Sequence, residues 1–311
     1  MYKIKEQLSS HTWKVEHEKK PFIMKKISLT GLTNNKRKYL LSELKIISEH
    51  NCRHIIKYYN SFIQDDCLCI ITEYCSGGTL GNKQGLSPVK IWRYFAQICS
   101  ALLYLHGNNI IHRDLIMENI MIDSNDNIKL IGFGMTKIMN EYMKYTKSVV
   151  GLPCPETQKH GFYDQKVDIW CAGLILYQMT HDRKPDTERL VIHPSVPTGF
   201  QIVIKKCTCK SPHARPKIDD LIKYSEIKRY LVSTSKIPTK IKQINSVPHD
   251  VAEWKKHLPK SKHINNIDCD FMKHYTNEEL VFLNMRLIDT IIEKNNIIAT
   301  LKSQIRMLNK Q

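Results

Sequence analysis

The chain has 311 residues, 42% of them hydrophobic, and a formal charge of +17. That is enough for a large domain with an extension and enough apolar content for a core; the charge favours acidic surfaces but by default describes a solvated lysine-rich exterior. The start, Met1-Tyr2-Lys3-Ile4-Lys5, lacks the apolar run of a signal peptide, no stretch approaches the ~18 apolar residues of a membrane helix, and the cysteines, spaced unlike zinc ligands, read as reduced core thiols, so no membrane role and a cytoplasmic, alternatively nuclear, location are expected.

Short strands come first. Tyr2-Lys3-Ile4 begins one, and Leu8 to Val15 follows as a hairpin without glycine. Pro21 to Ile27 is a further strand carrying Ile23 and Lys25. From Lys36 to Ser48, Leu40, Leu44 and Ile47 share one helical face, with Glu43 on the same helix. Asn60–Gln64 and Leu68–Thr72 form two strands across a turn at Asp65-Asp66, and Glu73-Tyr74-Cys75-Ser76-Gly77-Gly78 marks a change of composition. Ser87-Pro88 opens a helix with a cap and a proline at its first position. Ile91, Phe95, Ile98, Leu102 and Leu105 are its buried stripe.

The motif that organises the rest is His112-Arg113-Asp114-Leu115-Ile116-Met117-Glu118-Asn119, close to H-R-D-L-x-x-x-N. A hairpin, Asn119–Ile122 and Asn127–Ile131, leads to Gly132-Phe133-Gly134. Lys147-Ser148-Val149-Val150-Gly151-Leu152-Pro153, Pro155-Glu156, Asp168-Ile169-Trp170-Cys171-Ala172-Gly173 and Arg215-Pro216 come next in order. Together these landmarks resemble a eukaryotic protein kinase from residue 1 to about 231. Glu73-Tyr74-Cys75-x-Gly77-Gly78 and Lys147 to Gly151 look most like the NIMA-related Ser/Thr kinases.

The resemblance implies an α+β, two-lobed protein-kinase fold: a small β-rich lobe over 1–72, a hinge at 73–78 and a large helical lobe over 79–231. It implies Asp114 as the residue orienting the substrate hydroxyl, Asn119 as a metal ligand, and Lys25, paired with Glu43, on the ATP phosphates. Val15, Ile23, Glu73 and Cys75 would surround the nucleotide. His112, Phe133, Glu156, Asp168 and Arg215 would be structural, and Ser148 lies where activation-loop phosphorylation occurs.

The departures matter more. Gly132 stands where a kinase has the Mg2+-binding aspartate, Ile116 where it has a lysine, and Leu152 where it has that lysine's threonine partner. The segment between Met179 and Arg215 is compressed. The expectation is therefore a pseudokinase, with ATP a possible ligand and Mg2+ doubtful, acting as a signalling scaffold or allosteric partner of another protein. One alternative is a weak Ser/Thr kinase with unusual metal use, in which aspartate at 132 would raise transfer. The other is an adaptor.

From 232 to 275 the chain is basic and broken by Pro238, Pro248 and Pro259, a linker by default and otherwise a strip for an acidic cytoskeletal surface or nucleic acid. Over 276–311, Leu280, Leu287, Leu301 and Leu308 recur at sevens beside Asn284, Ile291, Ile298 and Ile305. This is the pattern of a parallel two-stranded coiled coil, implying a homodimer, with Lys294 as a local defect.

Overall fold

The computed structural model describes residues 2–31, 40, 44, 46–49, 51–133, 137–138, 154–158 and 163–231. The linker, the coiled-coil segment, Glu43 and Ser148 lie outside the described residues. The chain divides into two compact units. Among the described residues, one holds 2–31 and 58–74, and the other 40–57 and 75–231. The helical backbone at 40, 44 and 46–49 thus belongs to the second unit, although sequence order places it in the small lobe.

The first unit is a five-stranded antiparallel sheet, β1 (Lys3–Ser9), β2 (Thr12–His17), β3 (Lys20–Ser28), β4 (Tyr58–Gln64) and β5 (Cys67–Glu73), in the order β1-β2-β3-β5-β4. Two tight turns set its register. Glu18-Lys19 and Asp65-Asp66 all take positive φ, as two-residue hairpins require. With Lys14 opposite Ile23 and Thr12 opposite Lys25, one face carries Thr12, Lys14, Ile23 and Lys25. Alternation puts Trp13, Val15, Phe22 and Met24 on the other face. There Val15, Met24, Cys69 and Ile71 form a buried cluster edged by Tyr2, Trp13, Phe22 and Phe62.

The second unit is built on α1 (Pro88–Gly107), whose Ser87 side chain accepts from the Lys90 N–H as an N-cap. Its stripe of Ile91, Phe95, Ile98, Leu102 and Leu105 is buried, as the periodicity predicts. β6 (Ile110–Ile111), β7 (Ile120–Ile122) and β8 (Ile128–Leu130) follow, β7 pairing with β8 and β6 with β9 (Lys137–Ile138). Gly77 packs its backbone on β7, donating to the Ile122 carbonyl at 2.8 Å; a Cβ there would lie 2.8 Å from Ile122 Cβ.

Further α-helices among the described residues are α2 (Pro155–Gln158), α3 (Lys166–His181), α4 (Thr198–Cys207), α5 (Ile218–Leu221) and α6 (Ser225–Leu231). α3 is buried almost all round, including Asp168. Between α3 and α4, residues 182–197 form neither helix nor strand, in keeping with the compression read from the sequence.

Candidate active site

The loop between β6 and β7 is held from beneath by one buried carboxylate. Asp168, fully buried, accepts from the His112 N–H at 2.9 Å, the Arg113 N–H at 3.0 Å and His106 Nε2 at 2.9 Å. Burial alone would raise this carboxyl, but the hydrogen bond and charge of His106, with His112 and the Arg113 N–H, hold it below the usual carboxylate range. His106, in the last turn of α1, is a support that the motifs did not single out.

His112 is also buried. Its Nε2 donates to the Ile131 carbonyl at 3.0 Å, and its Nδ1 accepts from the Asp114 N–H at 3.3 Å. Burial lowers its pKa more than the neighbouring carboxylates raise it, so the ring is neutral and its tautomer fixed. It lies 5.0 Å from the Phe133 ring, centre to centre.

Asp114 is half-buried at the loop surface. Asn119 reaches back to it, Nδ2 donating to the Asp114 carbonyl and to Asp114 Oδ2, both at 2.8 Å. The Asn119 carbonyl in turn accepts from the Ile131 N–H, so the chain leading to Gly132 is tied to the same loop. Gly132 has φ +87°, and a Cβ built there would fall 2.7 Å from Asn119 Cγ and Nδ2. Asn119 thus fills the place of a side chain at 132.

Arg113, the middle residue of the H-R-D motif, has surroundings that the motif alone does not show. It is 5% exposed with φ +71°, and among the described residues its Nε and Nη2 have no hydrogen-bond partner. Its guanidinium lies 5.8 Å from the Tyr163 ring. A second buried arginine is fully satisfied. Arg215 makes a two-pronged pair with Glu156, at 2.5 and 2.8 Å, donates through Nε to the Cys209 carbonyl at 2.8 Å, and stacks 4.8 Å from Trp170. That pair fastens α2 beside α3.

The protein kinase domain family matches residues 10–225. The chain belongs to that family.

Within it, the chain is similar to NIMA-related Ser/Thr kinases. Serine/threonine-protein kinase Nek3 of Oryza sativa subsp. japonica is 32% identical over 240 residues, covering 69% of this chain and 41% of that protein. Probable serine/threonine-protein kinase nek3 of Dictyostelium discoideum is 31% identical over 239 residues, 67% of this chain and 21% of its own length. Serine/threonine-protein kinase Nek10 of Mus musculus is 34% identical over 209 residues, 58% of this chain and 19% of its own. The kinase chain described here spans less than half of each.

The kinase domain brings together Asp114, Asn119, His112, Phe133 and Asp168, and separately Glu156 with Arg215. In the sheet unit, Ile23 and Lys25 share one face with Thr12 and Lys14, and Thr72 and Ile70 lie opposite Ile23 and Lys25 on β5. Val15 does not join them. It is fully buried on the opposite face, so it cannot line a nucleotide surface with Ile23 and Lys25. Glu73 pairs with Phe22 at the end of β5, and Cys75 is buried. The turn between β1 and β2 closes over Ser10 and His11 alone. The His11 N–H bonds Ser9 Oγ, and the His11 carbonyl accepts from Lys26 N–H at 2.9 Å. It is the plain hairpin expected of a glycine-free stretch.

Kinase domains use ATP with Mg2+. The donor set here lacks the carboxylate that position 132 would supply to that ion. Position 132 offers no carboxylate, which leaves the Asn119 carboxamide oxygen as the remaining protein ligand of the motif, and among the described residues no group of three or more His, Cys, Asp or Glu could hold a metal.

Proposed function

We propose that this kinase-fold chain is catalytically impaired and acts as a signalling scaffold or allosteric partner. The observation that carries the reading is the Asn119 carboxamide occupying the space beside Gly132 while bracing Asp114. In an active kinase, a metal aspartate at 132 and a lysine at 116 neutralise charge developing on the transferred phosphoryl. Losing one such preorganised group costs about 3 kcal/mol of transition-state stabilisation. Two together come to about 6 kcal/mol, roughly four orders of magnitude in rate. His112, Asp168, Glu156 and Arg215 retain the frame because it rests on buried hydrogen bonds that do not involve the metal position.

The scaffold reading includes a homodimer through the coiled-coil pattern at 276–311 and a protein partner. It also includes a cytoplasmic location, an acidic surface met by the basic 232–275 segment, and Ser148 as a modification site. ATP bound without Mg2+ remains compatible with the Lys25 face.

A transfer assay tests the reading, using radiolabelled ATP, Mg2+ or Mn2+, and a general Ser/Thr substrate. The expected turnover is below about one event per minute, against roughly 1–100 per second for kinases. Turnover in the kinase range that disappears in Asp114→Asn would refute impairment.

A further inference from the structure

Beyond the catalytic loop, the described residues hold a preformed cleft where the compressed segment after α3 crosses α3 and α4. The cleft encloses about 440 Å³ and is lined by Trp170, Arg189, Leu190, Val191, Lys205 and Lys210, among others. We propose that it binds an acidic peptide segment of a partner protein, with an apolar side chain entering beside Trp170 and carboxylates meeting Arg189, Lys205 and Lys210.

The walls are fixed before any ligand arrives. Tyr177 Oη donates to the Val191 carbonyl at 3.0 Å, and Arg183 Nη2 donates to Tyr177 Oη at 3.0 Å. The His193 N–H donates to His181 Nε2 at 3.0 Å, and Gln201 Nε2 donates to the Val196 carbonyl at 2.7 Å. A segment without regular structure is thereby pinned to α3 on one side and α4 on the other. Such preorganisation lowers the ordering cost of binding.

Chemistry selects the occupant. Arg189, Lys205 and Lys210 are exposed cations around the cleft, against a single carboxylate in the lining, Glu188. Val191 is 64% exposed, an apolar surface left open to water at the mouth. Trp170, the aromatic residue of the lining, is 3% exposed, and among the described residues its indole N–H has no hydrogen-bond partner. A nucleic-acid backbone would call for a stripe of cations following repeated phosphates. A concave site of this size, with an apolar floor and a few charges, fits one or two side chains of a peptide.

The test is fluorescence anisotropy with a labelled glutamate-rich peptide carrying a single leucine, titrated with the full chain at about 0.15 M salt. Saturable binding is expected, weakened by about tenfold or more in Lys205→Glu combined with Arg189→Glu, and similarly when serine replaces the peptide's leucine. The charge-matched pair Lys3→Glu and Lys20→Glu, which does not line the cleft, should stay within about twofold. Val191→Asp, on the exposed rim, provides a second cleft variant that leaves the buried walls intact. Absence of saturable binding overturns the proposal. So does equal weakening by the Lys3 and Lys20 pair, indifference to the leucine, or equally tight binding of a single-stranded oligonucleotide, each of which would mark attraction to net charge alone. None of these readouts depends on nucleotide or phosphoryl transfer, so the cleft and the impaired active site stand or fall separately.

Discussion

The Asn119 carboxamide stands in the space that a side chain at Gly132 would need. An ideal Cβ at 132 would come within 2.7 Å of both Asn119 Cγ and Nδ2, and that same Nδ2 donates twice to Asp114 at 2.8 Å. The glycine therefore removes a ligand and lets its neighbour take up a position that an ordinary side chain would obstruct.

Restoring aspartate at 132 should not by itself revive transfer. On sequence grounds alone the substitution is expected to raise the rate. In the structure it meets a backbone at φ +87°, which aspartate tolerates better than most residues but still at some cost, and it must push Asn119 off Asp114. Gly132→Asp is expected to lose about 1–3 kcal/mol of stability and to gain less than about tenfold in transfer. Thermal unfolding and a transfer assay on the same preparation check both halves.

Glu156→Gln should be among the most damaging single changes in the large unit. It strands the Arg215 guanidinium, whose side chain is fully buried, without its counter-charge. Removing one partner of such a pair costs about 3–5 kcal/mol. At about 2–4 °C per kcal/mol for a domain of this size, the unfolding midpoint should fall by roughly 10 °C. An unchanged midpoint would mean that Arg215 finds solvent.

Arg113 should respond to oxyanions. Among the described residues its buried Nε and Nη2 have no acceptor, so a sulfate or phosphate reaching them supplies both charge and hydrogen bonds. Phosphate is expected to raise the unfolding temperature saturably in the native chain, with the saturable part absent in Arg113→Met. The comparison is needed because such salts stabilise most proteins nonspecifically.

Acid should weaken the fold from about pH 6.5 downwards. Burial lowers the pKa of His54 from 6.5 to about 4; the Ile128 carbonyl, accepting its Nδ1–H, opposes the shift, Arg53 and Lys129 add to it, and Asp123 opposes it. Between those values the unfolded chain binds more protons than the folded one, so stability is full above 6.5 and falls as pH drops toward 4. The His54 share is about 3 kcal/mol. His112, also neutral when folded, acts in the same direction. Denaturant unfolding at a series of pH values should show the slope, reduced in His54→Asn.

The residues legible in the sequence are those whose role is fixed by local geometry. Asp168, His112, Glu156 and Arg215 fall where the motifs place them because each makes buried bonds that admit one residue type. The turn at Asp65-Asp66 and the cap at Ser87 were readable for the same reason. The face of Val15 was not: alternation along β2 assigns sides only once register is known, and register comes from the turn at Glu18-Lys19. The overlap of Asn119 with the Gly132 position, the role of His106 and the cleft beside Trp170 depend on contacts between distant stretches, which composition and spacing do not specify.

The most direct test is the thermal shift produced by ATP at millimolar concentration, measured with Mg2+ and with a chelator. A donor set lacking the aspartate at 132 predicts that any stabilisation by ATP is the same in both conditions. Stabilisation that appears only with Mg2+ would mean that the site assembles a metal centre without that aspartate, and would contradict the account.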